Sequence, residues 1–252
     1  MPVDGILAVD KPIGWTSHDV VAVCRRASGR ARTGHGGTLD PLASGVLPIL
    51  FGTATKFVER LHTAPKVYGA LITFGTETST DDREGAVTRT AAPPAEDRDG
   101  LDRRLALFRG EIEQVPPDYA AVKVGGRPAY AAARAGETLT LVARRVRIDR
   151  FDIASWEPPV LRCVIVCSSG TYIRSLARDL GRSLASAAHL GGLVRLAVGA
   201  LELPSATPIE SIRPLSAEDL AGRLQPASDA LLLLAERFLD HRADRLLAGW
   251  EA

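Results

Sequence analysis

The sequence predicts an α+β fold in which a mixed, mainly antiparallel sheet is flanked by helices. Between Arg144 and Phe151, apolar residues alternate with arginines, which is typical of a strand with one face in water. The apolar run from Leu161 to Cys167 follows closely, which favours antiparallel pairing of the two strands. From Ser175 to Leu184, leucines recur every four residues, which predicts a helix with one apolar face against the core.

The elements before this region follow from local signals, taken in chain order. Ile6 to Val9 is apolar and strand-like, and Asp19 to Arg26 is predicted to be a helix. Thr16 or Ser17 can cap its start, because a hydroxyl oxygen accepts a hydrogen bond from the free N–H groups there, and Gly29 lies beyond its end. A mixed apolar segment, a strand, a polar loop and a helix are predicted next, at residues 46–51, 67–74, 76–85 and 101–108.

Two later regions determine the predicted domain organisation. Residues 115–140 contain Pro116-Pro117 and Gly125-Gly126, and so long a stretch without regular patterning predicts an exposed, mobile loop. A proline-punctuated stretch from Pro204 to Pro214 indicates that the main domain closes there, and a final helix is predicted from Ser228 to Phe238. We therefore expect one domain over residues 1–210 and a short, truncated C-terminal helical appendage over residues 211–252.

Composition excludes several classes of protein. The hydrophobic share of 46% and the charged share of 24% are those of a soluble globular chain, not of a disordered or membrane protein. The N-terminus has no basic segment followed by an apolar one, so we expect a cytoplasmic protein without membrane contact. The three cysteines lack the neighbours that would complete a zinc site, so we expect reduced, buried thiols and no metal.

The net charge of +1 gives no overall basic excess, so any contact with nucleic acid must come from local clusters. Arginines are concentrated in two stretches, residues 25–32 and residues 144–150. A solvated surface explains either stretch as well as a phosphate contact does, because charge runs usually face solvent.

The most informative segment runs from Gly34 to Lys56, where glycines surround a single carboxylate, Asp40. Glycine permits positive φ and lets a bulky ligand approach the backbone. An isolated Asp-Pro pair is usually a turn former whose side chain bonds its own backbone. From local chemistry alone, Asp40 is therefore either a turn residue or a functional carboxylate.

An ordered set of motifs, over about residues 5–210, resembles the bacterial tRNA pseudouridine synthases of the TruB type. The motifs are Asp10-Lys-Pro-Ile-Gly-Trp-Thr-Ser17, Gly34-His-Gly-Gly-Thr-Leu-Asp-Pro41, Gly52-Thr-Ala-Thr-Lys56, Lys66-Val-Tyr68, Gly75 through Thr78, Thr80 and Asp82 to Gly85, Gln114-Val-Pro-Pro117 with Tyr130 and Gly136, Gly170-Thr-Tyr-Ile-Arg174, and Leu193-Val-Arg195. One motif would be weak evidence, but the ordered set is specific. The resemblance implies the pseudouridine synthase fold, a monomer and no cofactor.

The family's reaction explains these residue types. Uridine 55 in the T-loop of tRNA becomes pseudouridine: the bond between ribose C1′ and uracil N1 breaks, the base turns while bound, and C1′ joins C5. A carboxylate can attack either ribose C1′ or uracil C6 to form a covalent intermediate. The sequence leaves both attacks open, together with the identity of the group that removes the C5 proton.

The resemblance also implies a role for each matching residue. Asp40 matches the nucleophile, and Arg174 matches the arginine that pairs with it, which favours an ionised and well-aimed carboxylate. Tyr68 is expected as a third catalytic residue, which stacks on the flipped uracil and is a candidate for proton removal. His35 is expected to fill the gap that the flipped nucleotide leaves. The remaining expected substrate contacts are three basic residues for phosphates, Lys11, Lys56 and Arg195, and three residues at the pocket, Asp82, Tyr172 and Leu193.

Two features depart from the family pattern. Ala121 stands where the family commonly has serine, within the stretch 115–140 that resembles the family's mobile RNA-gripping loop. Within residues 211–252, the segment from Phe238 to Gly249 resembles only the opening of the family's C-terminal RNA-binding domain of the PUA type. We therefore expect a remnant of that domain and weaker binding at the acceptor end of tRNA.

Three rival interpretations are less favoured. A protein that only binds or folds RNA would not need Asp40, Tyr68 and Arg174 together. A guide-dependent catalytic subunit of a ribonucleoprotein would be expected to have a complete C-terminal domain and docking extensions. An enzyme that binds phosphate through the glycine loop would need the Gly-Lys-Ser/Thr ending of a nucleotide P-loop, which this loop lacks. The expected partner is therefore the T-arm of tRNA.

Overall fold

A computed structural model describes residues 2–120, 122–124, 127–129, 132, 137 and 139–227. The strands are β1 (Gly5–Lys11), β2 (Thr33–His35), β3 (Ala43–Phe51), β4 (Lys66–Phe74), β5 (Thr76–Thr78), β6 (Val87–Thr90), β7 (Gly110–Gln114), β8 (Lys123–Val124), β9 (Arg127–Pro128), β10 (Arg144–Glu157), β11 (Val160–Cys167), β12 (Ala188–Val198), β13 (Leu201–Glu202) and β14 (Thr207–Pro208). The α-helices are α1 (Ser17–Ala27), α2 (Val58–Thr63), α3 (Arg98–Leu105), α4 (Ile173–Ser183), α5 (Ile209–Ile212) and α6 (Ala217–Ala221), and 3₁₀-helices cover Gly52–Phe57, Ala106–Phe108 and Leu203–Ser205. The predicted helix at 228–238 lies outside the described residues, as do Ala121, Tyr130 and Gly136.

The chain divides into two compact units, and the domain boundary predicted at residue 210 stays a prediction. Among the described residues, the first unit contains 2–69 and 193–227, and the second contains 70–192. Residues beyond 210 belong to the first unit because they pair with β1. Gln225 N donates to Ile6 O at 2.9 Å, and Ile6 N donates to Gln225 O at 2.8 Å.

In the first unit the strand order is β14-β1-β3-β12-β4. β1 and β3 are antiparallel, with Gly5 opposite Phe51 and Lys11 opposite Gly45. β3 and β12 are parallel, as are β1 and β14, whereas β2 pairs antiparallel with β3. The N-terminal end of β3 therefore lies beside the middle of β12, and the turn that contains Asp40 leads directly into β3.

Helices cover both faces of β1 and β3. Leu7 and Val9 pack with apolar residues of α1, α5 and α6 on one face. Ile6, Val46 and Leu50 pack on the other face with residues of α2 and of the 3₁₀-helix Gly52–Phe57. Because both faces are covered, β3 is apolar along almost its whole length, as strands buried on two sides usually are.

The start of α1 confirms the predicted N-cap. Thr16 is the cap, and it forms a capping box with Asp19. Asp19 N donates to Thr16 Oγ1 at 3.1 Å, and Thr16 N donates to Asp19 Oδ2 at 2.9 Å. Two donors that the helix cannot satisfy itself are thus satisfied reciprocally. Ser17, the alternative cap, is left to form other bonds.

In the second unit the strand order is β4-β11-β10-β7. β10 and β11 are antiparallel, as predicted, and within β10 Val146 and Ile148 are buried between exposed arginines. β7 and β12 were not predicted, and the predicted loop at 76–85 begins with β5.

The stretch 115–140 differs from the expectation of exposure, because several of its described residues are buried: Pro116, Pro117, Ala120, Val122, Ala129 and Ala132.

The three cysteines are buried thiols, as expected. Burial raises the pKa of the Cys24 thiol to about 12, so this group is not a thiolate at neutral pH. Among the residues that the structure describes, no helix is long and apolar enough to cross a bilayer.

Gly45 provides a test of the register between β3 and β12. Its φ is +100°, and a Cβ at this position would lie 2.3 Å from Arg195 O and 2.9 Å from Arg195 N. Gly110 also has positive φ (+88°), but apart from its two chain neighbours no described residue comes within 4 Å of a Cβ placed there. We expect Gly45→Ala to lower the free energy of unfolding by about 3 kcal/mol or more, and Gly110→Ala by about 1 kcal/mol, in urea denaturation. Equal losses of unfolding free energy in the two variants would contradict a close approach of the β3 and β12 backbones at Gly45.

Candidate active site

Asp40 lies in the turn before β3, and the residues on both sides of it are held by hydrogen bonds. Leu39 N donates to Ser17 Oγ at 2.9 Å, and Ser17 Oγ donates to Leu39 O at 3.2 Å. Gly14 N donates to Pro41 O at 2.8 Å. Gly14 lies between β1 and α1, and Ser17 is the first residue of α1. The backbone that carries Asp40 is therefore fixed from the N-terminal and the C-terminal side.

Arg195 holds the earlier part of the same loop and is only 2% exposed. Its Nη2 donates to Gly37 O at 3.1 Å, its Nη1 to Thr38 O at 3.3 Å, and its Nε to Val46 O at 2.7 Å. The structure differs from the expectation of a phosphate contact here. A guanidinium that is buried and bonded to three main-chain carbonyls orders the loop instead.

Lys11 differs from the expectation in the same way. Its side chain is fully buried, and Nζ donates to Pro12 O at 2.9 Å and to Trp15 O at 2.7 Å. Burial lowers the pKa of Lys11 to about 8, although the negative charge of Asp40 opposes this shift. Lys11 therefore shapes the turn that carries Gly14 and Ser17.

His35 ends β2, five residues before Asp40, and is half-buried. Its Nδ1 is buried without a hydrogen-bond partner among the described residues, and its ring meets the ring of His18 edge to face, with centroids 5.7 Å apart. Burial, reinforced by the charges of His18, Arg195 and His62, lowers the pKa of His35, so its ring is neutral at pH 7. A neutral ring with an unsatisfied nitrogen is suited to contact a nucleobase or to replace one.

The other predicted residues of the first unit lie on neighbouring elements. Tyr68 is on β4 and is 9% exposed. Lys66, two residues earlier, donates from Nζ to the carbonyls of His62 and Ala64 at 2.7 Å each, which ties the start of β4 to the end of α2. Leu193 stands opposite Ala43 where β12 meets β3, and Lys56 is exposed.

In the second unit, the guanidinium of Arg174 is oriented by main-chain carbonyls. Arg174 is the second residue of α4 and is 6% exposed. Its Nη1 donates to Thr80 O and its Nη2 to Tyr119 O, both at 3.1 Å. Asp82 Oδ2 lies 3.8 Å from Nη1, and Asp82 Oδ1 accepts from Thr80 Oγ1 at 2.6 Å. Asp82 is thus both a neighbour of Arg174 and a brace of the turn that holds it.

The N-cap of α4 is Tyr172, which has no side-chain capping bond of its own. The side chain of Gln114 holds the main chain of this residue instead. Tyr172 N donates to Gln114 Oε1 at 2.8 Å, and Gln114 Nε2 donates to Tyr172 O at 3.1 Å. The glutamine is 2% exposed. The motif Gln114-Val-Pro-Pro117 therefore has a structural role, because its first residue sets the position of the helix that carries Arg174.

Arginines recur every fourth residue along α4, and each is near a carboxylate of residues 77–82. Arg174 is near Asp82, Arg178 Nη1 is 2.7 Å from Asp81 Oδ2, and Arg182 Nη2 is 2.7 Å from Glu77 Oε2. We call this set the arginine ladder. The arginine spacing is visible in the sequence, but the carboxylates were not predicted as its partners because they lie about a hundred residues earlier in the chain.

The predicted site residues are divided between the two units. Lys11, His35, Asp40, Tyr68, Leu193 and Arg195 belong to the first unit, whereas Asp82, Tyr172 and Arg174 belong to the second. The pairing of Asp40 with Arg174 stays a prediction. Within residues 2–120, 139–227 and the short described stretches between them, no group of three or more His, Cys, Asp or Glu side chains could hold a metal ion.

The two basic stretches have different surroundings. An open cavity of about 540 Å³ lies against the first stretch, and its described lining includes no carboxylate. The cavity is lined by His18, Val21, Ala22, Arg25, Arg26 and Arg30. In the second stretch, Arg147 lies 2.6 Å from Asp149, and Arg150 lies 2.7 Å from Asp152. The described lining of the cavity at the first stretch is therefore basic, whereas the second stretch is partly neutralised.

Comparison with known proteins identifies related sequences over most of the chain. A family model described as TruB family pseudouridylate synthase (N terminal domain) matches residues 25–173. The tRNA pseudouridine synthase B of Cupriavidus pinatubonensis is 45% identical over 233 residues, which cover 91% of this chain and 73% of that protein. The protein of the same name from Mycobacterium bovis is 45% identical over 239 residues, covering 93% of this chain and 79% of the relative.

Solved structures also match. The crystal structure of an archaeal box H/ACA sRNP Nop10-Cbf5 complex contains a chain with a TM-score of 0.67 and 25% identity over 91% of this chain. A Cbf5-Nop10-Gar1 complex gives a TM-score of 0.67 with 27% identity over 90% of this chain. This chain spans 62% and 61% of the length of those two chains.

Glu77 lies at the outer end of the arginine ladder, and its surroundings predict that the free energy of unfolding depends on pH. Burial alone would raise the pKa of Glu77, but the hydrogen bonds and charges of Arg182 and Arg89 prevail and lower it from 4.5 to about 2. A carboxylate with a depressed pKa stabilises the fold above its ordinary pKa and loses this effect as pH falls from 4.5 towards 2. We expect Glu77→Gln to cost about 2 kcal/mol of unfolding free energy at pH 7.

The measurement is urea denaturation of wild type and Glu77→Gln at several pH values between 7 and 3. The difference in unfolding free energy between wild type and Glu77→Gln should become smaller below pH 4.5. Glu84→Gln, at an exposed position in the same segment, is the control, and its cost should stay under about 0.5 kcal/mol. A loss that is the same at every pH would show that Glu77 stabilises the fold by packing and not by charge.

Proposed function

The chain belongs to the TruB family of pseudouridylate synthases, and from this premise we propose that it isomerises uridine 55 in the T-loop of tRNA to pseudouridine. The observation that carries the proposal is the Asp40 loop, in which Ser17 and Gly14 hold the residues on either side of the carboxylate. Nucleophilic attack on a bound nucleotide requires a carboxylate held in one position. The names of the relatives support tRNA as the substrate.

In the proposed reaction, Asp40 forms a covalent bond with ribose C1′ or with uracil C6. The C1′–N1 bond breaks, and its electron pair stays with the uracil. After the base has rotated, C5 attacks C1′, the bond to Asp40 is released, and the proton from C5 passes to a base. Arg174 is proposed to pair with Asp40, and its guanidinium is already oriented by the carbonyls of Thr80 and Tyr119.

The remaining site residues are proposed to bind the RNA. Tyr68 would stack on the flipped uracil, with Asp82, Tyr172 and Leu193 at the same pocket. The neutral ring of His35 would fill the position that the nucleotide leaves. Lys56 and the basic cavity on α1 would hold phosphates, which position the RNA without reading its sequence.

The proposed enzyme acts in the cytoplasm as a monomer that recognises the T-arm. The structural matches, at 25% and 27% identity, come from an archaeal box H/ACA sRNP Nop10-Cbf5 complex and from a Cbf5-Nop10-Gar1 complex. The bacterial proteins named tRNA pseudouridine synthase B are 45% identical. This difference favours an enzyme that acts on tRNA directly over a guide-dependent subunit.

Tritium release tests the activity and the nucleophile together. A tRNA transcript that carries 5-tritiated uridine should release tritium to water with wild type, because C5 exchanges its hydrogen for the bond to C1′. Asp40→Asn should bind the RNA but release no tritium above background, since an amide cannot replace the carboxylate nucleophile. Asp99→Asn, at an exposed position in the first turn of α3, should keep wild-type activity.

Two outcomes would refute the proposal in different ways. Absence of release by wild type would contradict the enzymatic activity itself. An active Asp40→Asn protein would leave the activity but overturn Asp40 as the nucleophile. A transcript with cytidine at position 55 tests the proposed position, because it should release no tritium from its remaining labelled uridines.

Ser17→Ala tests whether the brace beside Asp40 serves catalysis. The variant loses both hydrogen bonds to Leu39, so Asp40 should be less well aimed, and the single-turnover rate should fall by about tenfold or more with little change in the Kd for RNA. Ser28→Ala is the matched control, because Ser28 is also buried and donates to a main-chain carbonyl, that of Arg25 at 2.9 Å. Equal rates in the two variants would argue against a catalytic role of the brace.

A further inference from the structure

The middle pair of the arginine ladder, Arg178 and Asp81, joins two segments that also contact Arg174. Arg178 is 9% exposed and Asp81 is 8% exposed. Arg178 Nη1 donates to Asp81 Oδ2 at 2.7 Å, and Arg178 Nη2 donates to Val115 O at 3.0 Å. Ser175 Oγ donates to the same Val115 carbonyl at 2.9 Å. A single guanidinium therefore connects the turn at 79–82 with the beginning of the stretch 115–140.

Both connected segments hold Arg174. Thr80, next to Asp81, accepts from Arg174 Nη1, and Tyr119, four residues after Val115, accepts from Arg174 Nη2. Arg174 and Arg178 are one helical turn apart on α4. A displacement of the turn or of residue 115 would therefore displace the carbonyls that aim the Arg174 guanidinium.

Stability alone does not account for the pair. Asp81 has φ of +58°, in the left-handed region, which costs free energy in a residue other than glycine. Burial of its carboxylate and of the Arg178 guanidinium adds a desolvation cost, and apolar residues often replace such a pair without loss of stability. Strained backbone and a buried ion pair in one turn are features of positions where a defined geometry is needed.

We infer that Arg178 and Asp81 are positioning residues for the isomerisation, which set the orientation of Arg174 and of the first residues of the stretch 115–140. The inference rests on the proposed function, in which Arg174 pairs with the nucleophile. Burial raises the pKa of Asp81 to about 6 despite the opposing charges of Arg178, Arg174 and Arg182, which agrees with a carboxylate held in place at a cost.

The test compares Asp81→Asn with Glu77→Gln. Both remove one carboxylate charge from the same ladder, but Glu77 pairs with Arg182 at the end remote from Arg174 along α4. In single-turnover tritium release, Asp81→Asn should be about tenfold to a hundredfold slower than wild type with an almost unchanged Kd for RNA, whereas folded Glu77→Gln should keep the wild-type rate. Should Asp81→Asn fail to fold, Arg178→Lys replaces it, because one ammonium group cannot reproduce the fork that reaches Asp81 and Val115.

A double variant tests whether the two residues act together. Asp81→Asn with Arg178→Gln should be no slower than the slower single variant, because the pair is already lost. Multiplicative losses, or a wild-type rate in Asp81→Asn, would overturn the inference.

A measurement independent of activity separates this inference from the proposed function. The Nε–Hε NMR signal of Arg174, assigned with Arg174→Lys, should shift in Asp81→Asn and remain in place in Glu77→Gln. An unchanged signal in Asp81→Asn would overturn the positioning role even in an active enzyme. A wild type without tritium release but with the expected NMR shifts would contradict the proposed function and support the positioning role.

Discussion

The conformation of the glycine loop before Asp40 depends on one buried cation, the guanidinium of Arg195. A loop with glycines at 34, 36 and 37 has little intrinsic preference for one conformation, and these three positions have no side chain to pack. Arg195 supplies three donors in a rigid plane, and each meets a different carbonyl of the loop or of β3. Burial of the charge is tolerable because these carbonyls replace the water that the guanidinium loses.

The second unit uses the same principle, since side chains fix main-chain atoms around Arg174. Gln114 satisfies the N–H and the carbonyl of Tyr172, and Arg178 and Ser175 both donate to Val115 O. Bonds of this kind depend on direction as well as distance, so they restrict a loop more tightly than apolar contacts of equal area. Both parts of the candidate site are therefore irregular segments whose conformation is specified by polar side chains from regular elements, which is how strands and helices give precision to loops.

Much of the fold could be predicted from the sequence where burial produces a pattern. β10 alternates, β11 is a continuous apolar run, and α4 repeats every four residues, so each has a signal of its own. β12 was missed because Gly191 and Gly192 interrupt its apolar run; a Cβ at Gly191 would meet Thr73 Oγ1 at 2.6 Å, a close approach that only the folded chain reveals. The type of a residue also does not reveal its burial, which is why Lys11 and Arg195 were expected at phosphates.

The roles of Lys11 and Arg195 change what the family motifs mean physically. The segment 10–17, the segment 34–41 and Arg195 are far apart in the chain, yet their contacts converge on the residues around Asp40. Gly14 and Ser17 hold its two neighbours, Lys11 closes the turn that carries them, and Arg195 holds the residues before. A change at any of these positions should alter the aim of one carboxylate without touching the substrate. The motifs therefore describe one set of contacts around this loop, in which Lys11 and Arg195 donate to main-chain carbonyls.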